Sequence, residues 1–188
     1  MDNNFNLVGK CLVAMPHIDD DSMFANSIVY ICAHNKDGAM GFIVNKQLRE
    51  FYFSDLMNQL NMPYFSQMDS IVLHKGGPLE QVRGFVLHSN DYKCKGTLNI
   101  NADYAVSSSL EVLHDVAFGK GPTYNLIALG YSSWMPKQLE NEIINNDWLV
   151  TNASADLLFK TPDSDKWQKA IDEIGFDIND VAIRTGRA

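Results

Sequence analysis

Short apolar runs separated by turn-forming residues dominate the first half of the chain. The runs are rich in β-branched and aromatic residues, and Gly, Asn, Asp or Pro bounds them, which is typical of β-strands. They predict five strands, at residues 10–15, 27–33, 40–45, 70–74 and 82–88. Between the second and third runs, Asp37-Gly38 favours a tight reversal, so we expect these two strands to form a hairpin.

Helix signals are concentrated in the second half. Residues 108–111 match a capping box, which predicts a helix that starts there. Its apolar face is formed by Leu110, Leu113 and Ala117. Two further helices are predicted, one that starts at Pro136 and one that follows Pro162 and ends at Gly175. The apolar stripe of the first of these is formed by Leu139, Ile143 and Ile144.

The remaining patterns complete an α+β assignment. Strands are also expected at 125–129, 148–151 and 156–159, and a short amphipathic turn is expected after Ser54. Strands joined by hairpin-length turns, followed by interspersed helices, predict an α+β fold on a largely antiparallel sheet. No Pro/Gly/Ser linker or repeat divides the chain, so residues 1–188 are predicted to form a single domain.

The charge balance excludes several classes of partner. The chain has 15 Lys and Arg against 23 Asp and Glu, a formal net charge of −8, which opposes direct nucleic-acid binding. Its apolar runs are far shorter than the roughly 20 residues of a membrane-spanning helix. The N-terminal residues lack the basic start and apolar stretch of a secretory signal, so we expect a cytoplasmic protein.

The negative charge is unevenly distributed along the chain. Residues 1–32 carry 1 basic and 4 acidic side chains, and residues 97–188 carry 7 and 13, whereas residues 33–96 carry 7 and 6. The middle third is therefore locally neutral to basic inside an acidic chain. If an anionic ligand binds, we expect it to bind there.

Glycine turns in this middle third define the predicted binding site. Glycines permit close backbone approach and exposed N–H groups, and cationic side chains beside them can complete an anion site. The candidate ligand-binding residues are Asn35, Asn45, Lys46, Gly76, Gly77 and Arg83. Ordinary hairpin chemistry is the alternative explanation for the same glycines.

Catalytic motifs are weaker. The cluster of His17, Asp19 and Asp21 offers metal-ligating atoms without a recognised spacing, and Cys94 lies between two lysines that would lower a thiol pKa. Three cysteines without a CxxC pair predict neither a disulfide framework nor a structural zinc site. No phosphate-binding or dinucleotide-binding motif occurs, and Trp134 replaces the second glycine of a nucleophile elbow. We therefore predict no cofactor and no resident metal.

Several blocks together resemble one bacterial family. These blocks are residues 12–16, 21–24, 38–46, 76–78 with 83–88, and 129–131 with Trp134. In this order and spacing they are similar to the AlgH/YqgE family. The resemblance implies a compact α+β fold with a strongly curved, barrel-like sheet, a cytosolic bacterial location and no settled biochemical activity. Ser22 and Gln47 stand where the family usually has proline, which would loosen the rim of the predicted site.

The resulting functional prediction is a non-enzymatic regulatory or ligand-binding module. Its partner would be a small anion or a protein, bound at the glycine turns. One alternative is a hydrolase-type enzyme that uses the His17/Asp19/Asp21 cluster with a metal, or Cys94 as nucleophile. The other is a direct transcriptional regulator, although no helix-turn-helix pattern is found and the net charge opposes DNA docking.

Overall fold

The computed structural model describes residues 6–175, in which nine strands form one curled sheet. The strands are β1 (Lys10–Ala14), β2 (Ile28–Asn35), β3 (Gly38–Ile43), β4 (Leu73–Lys75), β5 (Leu79–Ser89), β6 (Leu98–Asn99), β7 (Tyr104–Ser107), β8 (Asn125–Trp134) and β9 (Trp148–Asn152). Their order is β6-β7-β5-β8-β3-β2-β1-β9, with β4 paired beside β8. All pairings are antiparallel except that of β4 with β8. The predicted α+β class with a curved, largely antiparallel sheet is confirmed.

The predicted hairpin between β2 and β3 is present. Asn35 pairs with Gly38, and Gly38 has a φ of 127°, a value that favours glycine. Trp134 of β8 lies so close that no side chain fits at this glycine. Position 38 therefore requires glycine for two reasons, the backbone conformation of the turn and the close packing of β8.

Strand β8 connects the two halves of the sheet. Its first half pairs with β4 and β5, and its last three residues pair with β3. Gly130 lies between the segment that pairs with β4 and the segment that pairs with β3. It has a φ of 75°, and a Cβ there would lie 2.6 Å from the Leu79 carbonyl oxygen. The sequence predicted this strand only as 125–129, because the glycine resembles a strand end.

In the described part of the chain, four α-helices flank the sheet. They are α1 (Phe53–Gln59), α2 (Leu110–Ala117), α3 (Gln138–Ile144) and α4 (Asp163–Ile174), with a 3₁₀ turn at Ser66–Ser70 and a π-helical turn at Asp156–Lys160. As predicted, α4 follows Pro162 and ends at Gly175, whose φ of 72° suits a glycine cap. Between residues 6 and 175, no helix has both the length and the apolar character needed to cross a membrane.

Two helix starts differ from their predictions. Ser109 rather than Ser108 precedes α2, and the Glu111 carboxylate accepts the Lys95 N–H at 3.3 Å instead of closing a capping box. Leu110 is exposed, so the buried face of α2 is formed by Val112, Leu113, Val116 and Ala117. Helix α3 starts at Gln138, after a left-handed Lys137, and its predicted core residue Ile144 is exposed.

Two strand predictions also need correction, and two strands were not predicted. Residues 156–159 form the π-helical turn, in which the consecutive Leu157 and Leu158 are both buried, an arrangement that an alternating strand cannot provide. The strand predicted at 70–74 starts only at Leu73, because residues 66–70 form the 3₁₀ turn. Strands β6 and β7 were not predicted, since both are short and flanked by polar residues.

Alternation along the strands divides the core between the two faces of the sheet. Cys11 and Val13 of β1 belong to a cluster covered by α4, whereas Leu12 and Ala14 belong to a cluster that contains Leu139 of α3. A third cluster is buried under α1 and α2. Helix α4 and the π-helical turn therefore lie on the same face, near the end of β4.

Candidate functional site

A cleft of about 1200 Å³ lies between α4 and the short strand β4. It is lined by residues from five segments, at 22–26, 45–49, 71–75, 125–126 and 158–168. We call this site the basic cleft. Its volume is slightly above the usual range for small-molecule sites, about 300–1000 Å³.

Positive side chains outnumber negative ones in the basic cleft. Its cationic lining residues are Lys46, Arg49, Lys75, Lys160 and Lys166. Asp163 is the one carboxylate among the lining residues of the described chain. Within residues 6–175, Lys46, Arg49 and Lys75 form no ion pair. The cleft is thus a local region of positive charge in an acidic chain.

A buried cluster of charged groups forms the floor of the cleft. Lys166 is 2% exposed, and its ammonium group lies 2.7 Å from Asp163 Oδ1 and donates to the Val44 carbonyl oxygen at 2.8 Å. The other carboxylate oxygen, Oδ2, lies 3.0 Å from His74 Nε2 and accepts the Gln47 amide at 2.5 Å. These contacts attach α4 to β4 and to the end of β3.

The electrostatics of this cluster are mutually stabilising. Burial alone would raise the pKa of the Asp163 carboxyl, but the His74 hydrogen bond and the charges of His74 and Lys166 outweigh burial and hold that pKa well below its usual range. Burial lowers the pKa of Lys166, and the carboxylate opposes that shift. Both nitrogens of His74 lie within hydrogen-bond distance of oxygen atoms, one of Asp163 and one of the Ile127 carbonyl, so the ring is held on both sides.

Two lysines face each other at the mouth of the cleft. Gln47 and His74 form an antiparallel bridge, and next to it the Lys75 N–H donates to the Lys46 carbonyl at 2.7 Å. Lys46 and Lys75 are therefore directly opposite each other, an arrangement in which like charges are destabilising. Burial lowers the pKa of Lys46, since the partly covered ammonium is less well hydrated.

The structure places two of the six predicted binding residues in the cleft. Lys46 is one, and Asn45 is the other. The Asn45 side chain accepts the Ile28 N–H at 2.8 Å and donates to the Asn26 carbonyl at 2.9 Å, so it fixes the loop that carries Lys46. Asn35 lies outside the cleft, where its side chain accepts the Asp37 N–H at 2.7 Å in the hairpin turn.

The two predicted glycines serve the packing of the sheet. A Cβ on Gly76 or Gly77 would lie less than 3.0 Å from backbone atoms of β8, and the Gly76 N–H already donates to the Leu129 carbonyl at 2.8 Å. The close backbone approach that the sequence assigned to a ligand is made by this chain itself. Arg83 is also outside the cleft, bonded to Glu80 at 3.1 Å and positioned over the Phe85 ring. The six residues therefore do not converge on one pocket.

The metal cluster expected for the hydrolase alternative is not assembled. His17 pairs with Asp147 at 3.0 Å, and Asp19 accepts the backbone N–H of Asp21. Among the described residues, no group of three His, Cys, Asp or Glu side chains is arranged to hold a metal ion. His17, Asp19 and Asp21 therefore act separately in loop structure.

Cys94 is surrounded by hydroxyl groups rather than by a base. Its sulfur lies 3.3 Å from Ser109 Oγ and 3.5 Å from Thr97 Oγ1. Burial raises the pKa of the thiol, but hydrogen bonds from Ser109, Thr97 and further hydroxyls outweigh it, so the pKa is lowered. The cause differs from the lysine effect that the sequence suggested. No imidazole or carboxylate of the described chain is hydrogen-bonded to the sulfur to activate it.

The cleft residues that sequence analysis missed come mainly from the second half of the chain. They are Lys160, Asp163, Lys166 and Trp167. One signal was present, because Asp163 and Lys166 are three residues apart at the start of a predicted helix and can pair on one face. Nothing in the sequence indicated that this face meets His74.

The sequence and structure comparisons agree on one family. Residues 11–179 match the family described as AlgH-like. A UPF0301 protein of Jannaschia sp. (strain CCS1) is 40% identical over 189 residues, covering 100% of this chain and 98% of the relative. A UPF0301 protein of Pectobacterium atrosepticum is 39% identical over 187 residues, covering 97% and 100%.

Two solved structures share the architecture. The solution structure of AlgH from Pseudomonas aeruginosa has a TM-score of 0.79 and 32% identity, covering 100% of this chain and 97% of that protein. The crystal structure of a Corynebacterium diphtheriae protein has a TM-score of 0.71 and 21% identity, covering 92% and 90%. The second likeness concerns the fold alone.

Proposed function

Since the chain belongs to the AlgH-like family, whose name specifies no reaction, we propose from its cleft that the protein is a non-enzymatic module that binds a small anion. The observation that carries the proposal is the excess of cationic side chains in the basic cleft of a chain with a net charge of −8. In this proposal the ligand contacts Lys46, Lys75 and Arg49 rather than the glycine turns.

Three cations that form no ion pair within residues 6–175 support this proposal. Lys46 and Lys75 face each other, and Arg49 lies on the same loop as Lys46. An anion between the two ammonium groups would replace their mutual repulsion with two charge-assisted hydrogen bonds. The partly buried Lys46 gains most, because the anion offsets the hydration that it has lost.

A binding role fits the cleft better than acid–base catalysis. His74 is the imidazole in the cleft, and both of its nitrogens are already engaged. The Asp163 carboxylate is held between His74, Lys166 and Gln47, which leaves it poorly placed to accept a substrate proton. The floor therefore orients the walls of the cleft, and its polar groups are satisfied within the protein.

Calorimetric titration with inorganic phosphate and pyrophosphate, at constant ionic strength, tests the proposal. We expect wild-type protein to bind pyrophosphate more tightly than phosphate. The double variant Lys46→Gln/Lys75→Gln should lose at least about tenfold in affinity, since hydrogen bonds to charged groups contribute about 1.5–3 kcal/mol. Saturating pyrophosphate should also raise the melting temperature of the wild type by several degrees.

Arg83→Gln is the matched control, because it removes one exposed cation outside the cleft. It should bind pyrophosphate as the wild type does. Absence of binding to the wild type would overturn the proposal. Equal losses in Arg83→Gln and in the double variant would do the same, because they would indicate a general charge effect.

A further inference from the structure

The basic cleft also has rigid aromatic walls. Trp167 of α4 is half-buried, and its indole Nε1 donates to the Ala14 carbonyl at 2.8 Å, which fixes the ring. Phe159 is half-buried as well and stacks on Tyr124, with ring centroids 5.7 Å apart and planes 15° from parallel. Both rings line the cleft, and neither needs to reorganise before a ligand binds.

Three of the cationic lining residues come from a different part of the chain than the aromatic rings, whereas Lys160 and Lys166 are the sequence neighbours of Phe159 and Trp167. Lys46, Arg49 and Lys75 belong to the segments around β4, whereas Phe159 and Trp167 belong to the π-helical turn and α4. The apolar part of the lining is extended by Ile71, Val72, Leu126 and Leu158. A ligand that contacts both groups must combine an anionic portion with an apolar one.

The size of the cleft favours such a ligand over a simple ion. A phosphate ion is far smaller than about 1200 Å³, so it would leave the aromatic walls in contact with water. A planar ring placed against an aromatic side chain gains stacking and apolar burial that a free phosphate cannot provide.

On the basis of the proposed function, we infer that the anion is a mononucleotide, with its phosphate at Lys46 and Lys75 and its base against the aromatic walls. The net charge of −8 argues against a nucleic-acid polymer, whose further phosphates would lie over acidic surface. A nucleoside monophosphate carries its negative charge on a single phosphate group, which the cations of the cleft can contact.

Four probes separate the contributions of the ring and the phosphate. Calorimetric titrations use AMP, adenosine, ribose 5-phosphate and inorganic phosphate at one ionic strength. We expect AMP to bind at least about tenfold more tightly than ribose 5-phosphate, because base stacking adds to the phosphate contact. Adenosine should bind at least about tenfold more weakly than AMP, since it lacks the charge-assisted bonds.

Aromatic variants then test the ring site. Phe159→Leu and Trp167→Leu keep an apolar side chain, and at least one of them should reduce the advantage of AMP over ribose 5-phosphate about fivefold or more while leaving the affinity for ribose 5-phosphate unchanged. Trp167→Leu also loses the bond to Ala14, so Phe159→Leu provides the second test if that variant does not fold. Circular dichroism checks the folding of both.

The outcomes distinguish this inference from the proposed function. Equal affinities for AMP and ribose 5-phosphate would overturn the nucleotide assignment while leaving anion binding intact. An unchanged AMP advantage in every folded aromatic variant would overturn the placement of the base. Binding of a ten-residue oligothymidylate more tightly than AMP would replace the mononucleotide with a polymer. No binding of any phosphate compound would overturn both proposals.

Discussion

The glycine junction and the basic cleft are neighbours in the chain but opposite in physical character. We use glycine junction for Gly76, Gly77 and Gly130, where backbone segments are packed so closely that an added Cβ would clash. One residue earlier, Lys75 contributes an exposed ammonium group to an open cleft. A single motif thus contains a region that excludes side chains and a region that concentrates charge.

The difference shows what the glycines contribute to the site. They do not offer their N–H groups to an anion, because at Gly76 that donor is used within the sheet. Instead, the junction fixes the path of β4 beside β8 and so holds Lys75 opposite Lys46. The stability of the protein should therefore be sensitive to added side-chain volume at the junction and to altered charge in the cleft.

The largest effect is expected at the junction. In Gly77→Ala, the new Cβ would lie less than 3.0 Å from the backbone of Tyr131 and Ser132, so the strands must separate. We expect a loss of about 4 kcal/mol in the free energy of unfolding. The melting temperature should fall by about 10 °C in differential scanning calorimetry.

Gly84→Ala provides the matched control within the same sheet. Its Cβ would meet only Leu129 Cδ2, at an ordinary 3.7 Å. We expect a neutral or slightly stabilising change, because alanine restricts the unfolded chain. Equal losses in the two variants would refute the distinction between a tight junction and an ordinary strand glycine.

An intermediate and pH-dependent effect is expected at the floor of the cleft. Asp163→Asn leaves Lys166 without its carboxylate, which should cost about 2 kcal/mol at pH 7. Because the folded-state pKa of Asp163 is depressed, its stabilisation is full above the ordinary Asp pKa of about 3.9 and is lost as pH falls toward the folded value. The difference between variant and wild type should thus shrink by about 1 kcal/mol between pH 7 and pH 3.

Urea unfolding at several pH values measures this difference. Asp165→Asn is the control, because Asp165 is exposed on the same helix and bonds only to the neighbouring Ser164 hydroxyl among the side chains of residues 6–175. Asp165→Asn should change the free energy of unfolding only slightly, and by nearly the same amount at every pH. A cost of Asp163→Asn that is the same at pH 3 and pH 7 would contradict a charge-based floor.

Local sequence signals predicted much of the fold. The β2–β3 hairpin and the cap of α4 at Gly175 follow from turn and cap chemistry within a few residues, and both are present. Errors arose where tertiary packing decided the outcome. Leu110 is exposed although the periodicity assigned it to the core, and β8 continues through Gly130 because β3 pairs with its far end.

The site was less predictable than the fold. The count of charges identified the middle third of the chain as locally basic, and Lys46, Arg49 and Lys75 from that region line the cleft. Lys160 and Lys166 were outside the expected region, since they reach the cleft through the packing of the π-helical turn and α4 on the sheet. Sequence patterns indicate which groups carry charge, whereas the partner elements determine where those charges meet.

The smallest change in stability is expected at the mouth of the cleft. The sign of this change tests whether the cleft, unlike the glycine junction, is sensitive to charge. In Lys75→Gln the repulsion between the facing lysines is removed, so in ligand-free buffer of low salt we expect stability to rise by a few tenths of a kcal/mol. Lys36→Gln, in the exposed hairpin turn, should change stability less. With pyrophosphate present, the wild type and Lys36→Gln should both be more stable than Lys75→Gln, because Lys75→Gln has lost one of the two ammonium groups that contact the anion. If Lys75→Gln is less stable than the wild type without ligand, Lys75 has a structural role. The contrast between a charge-sensitive cleft and a volume-sensitive junction would then be lost.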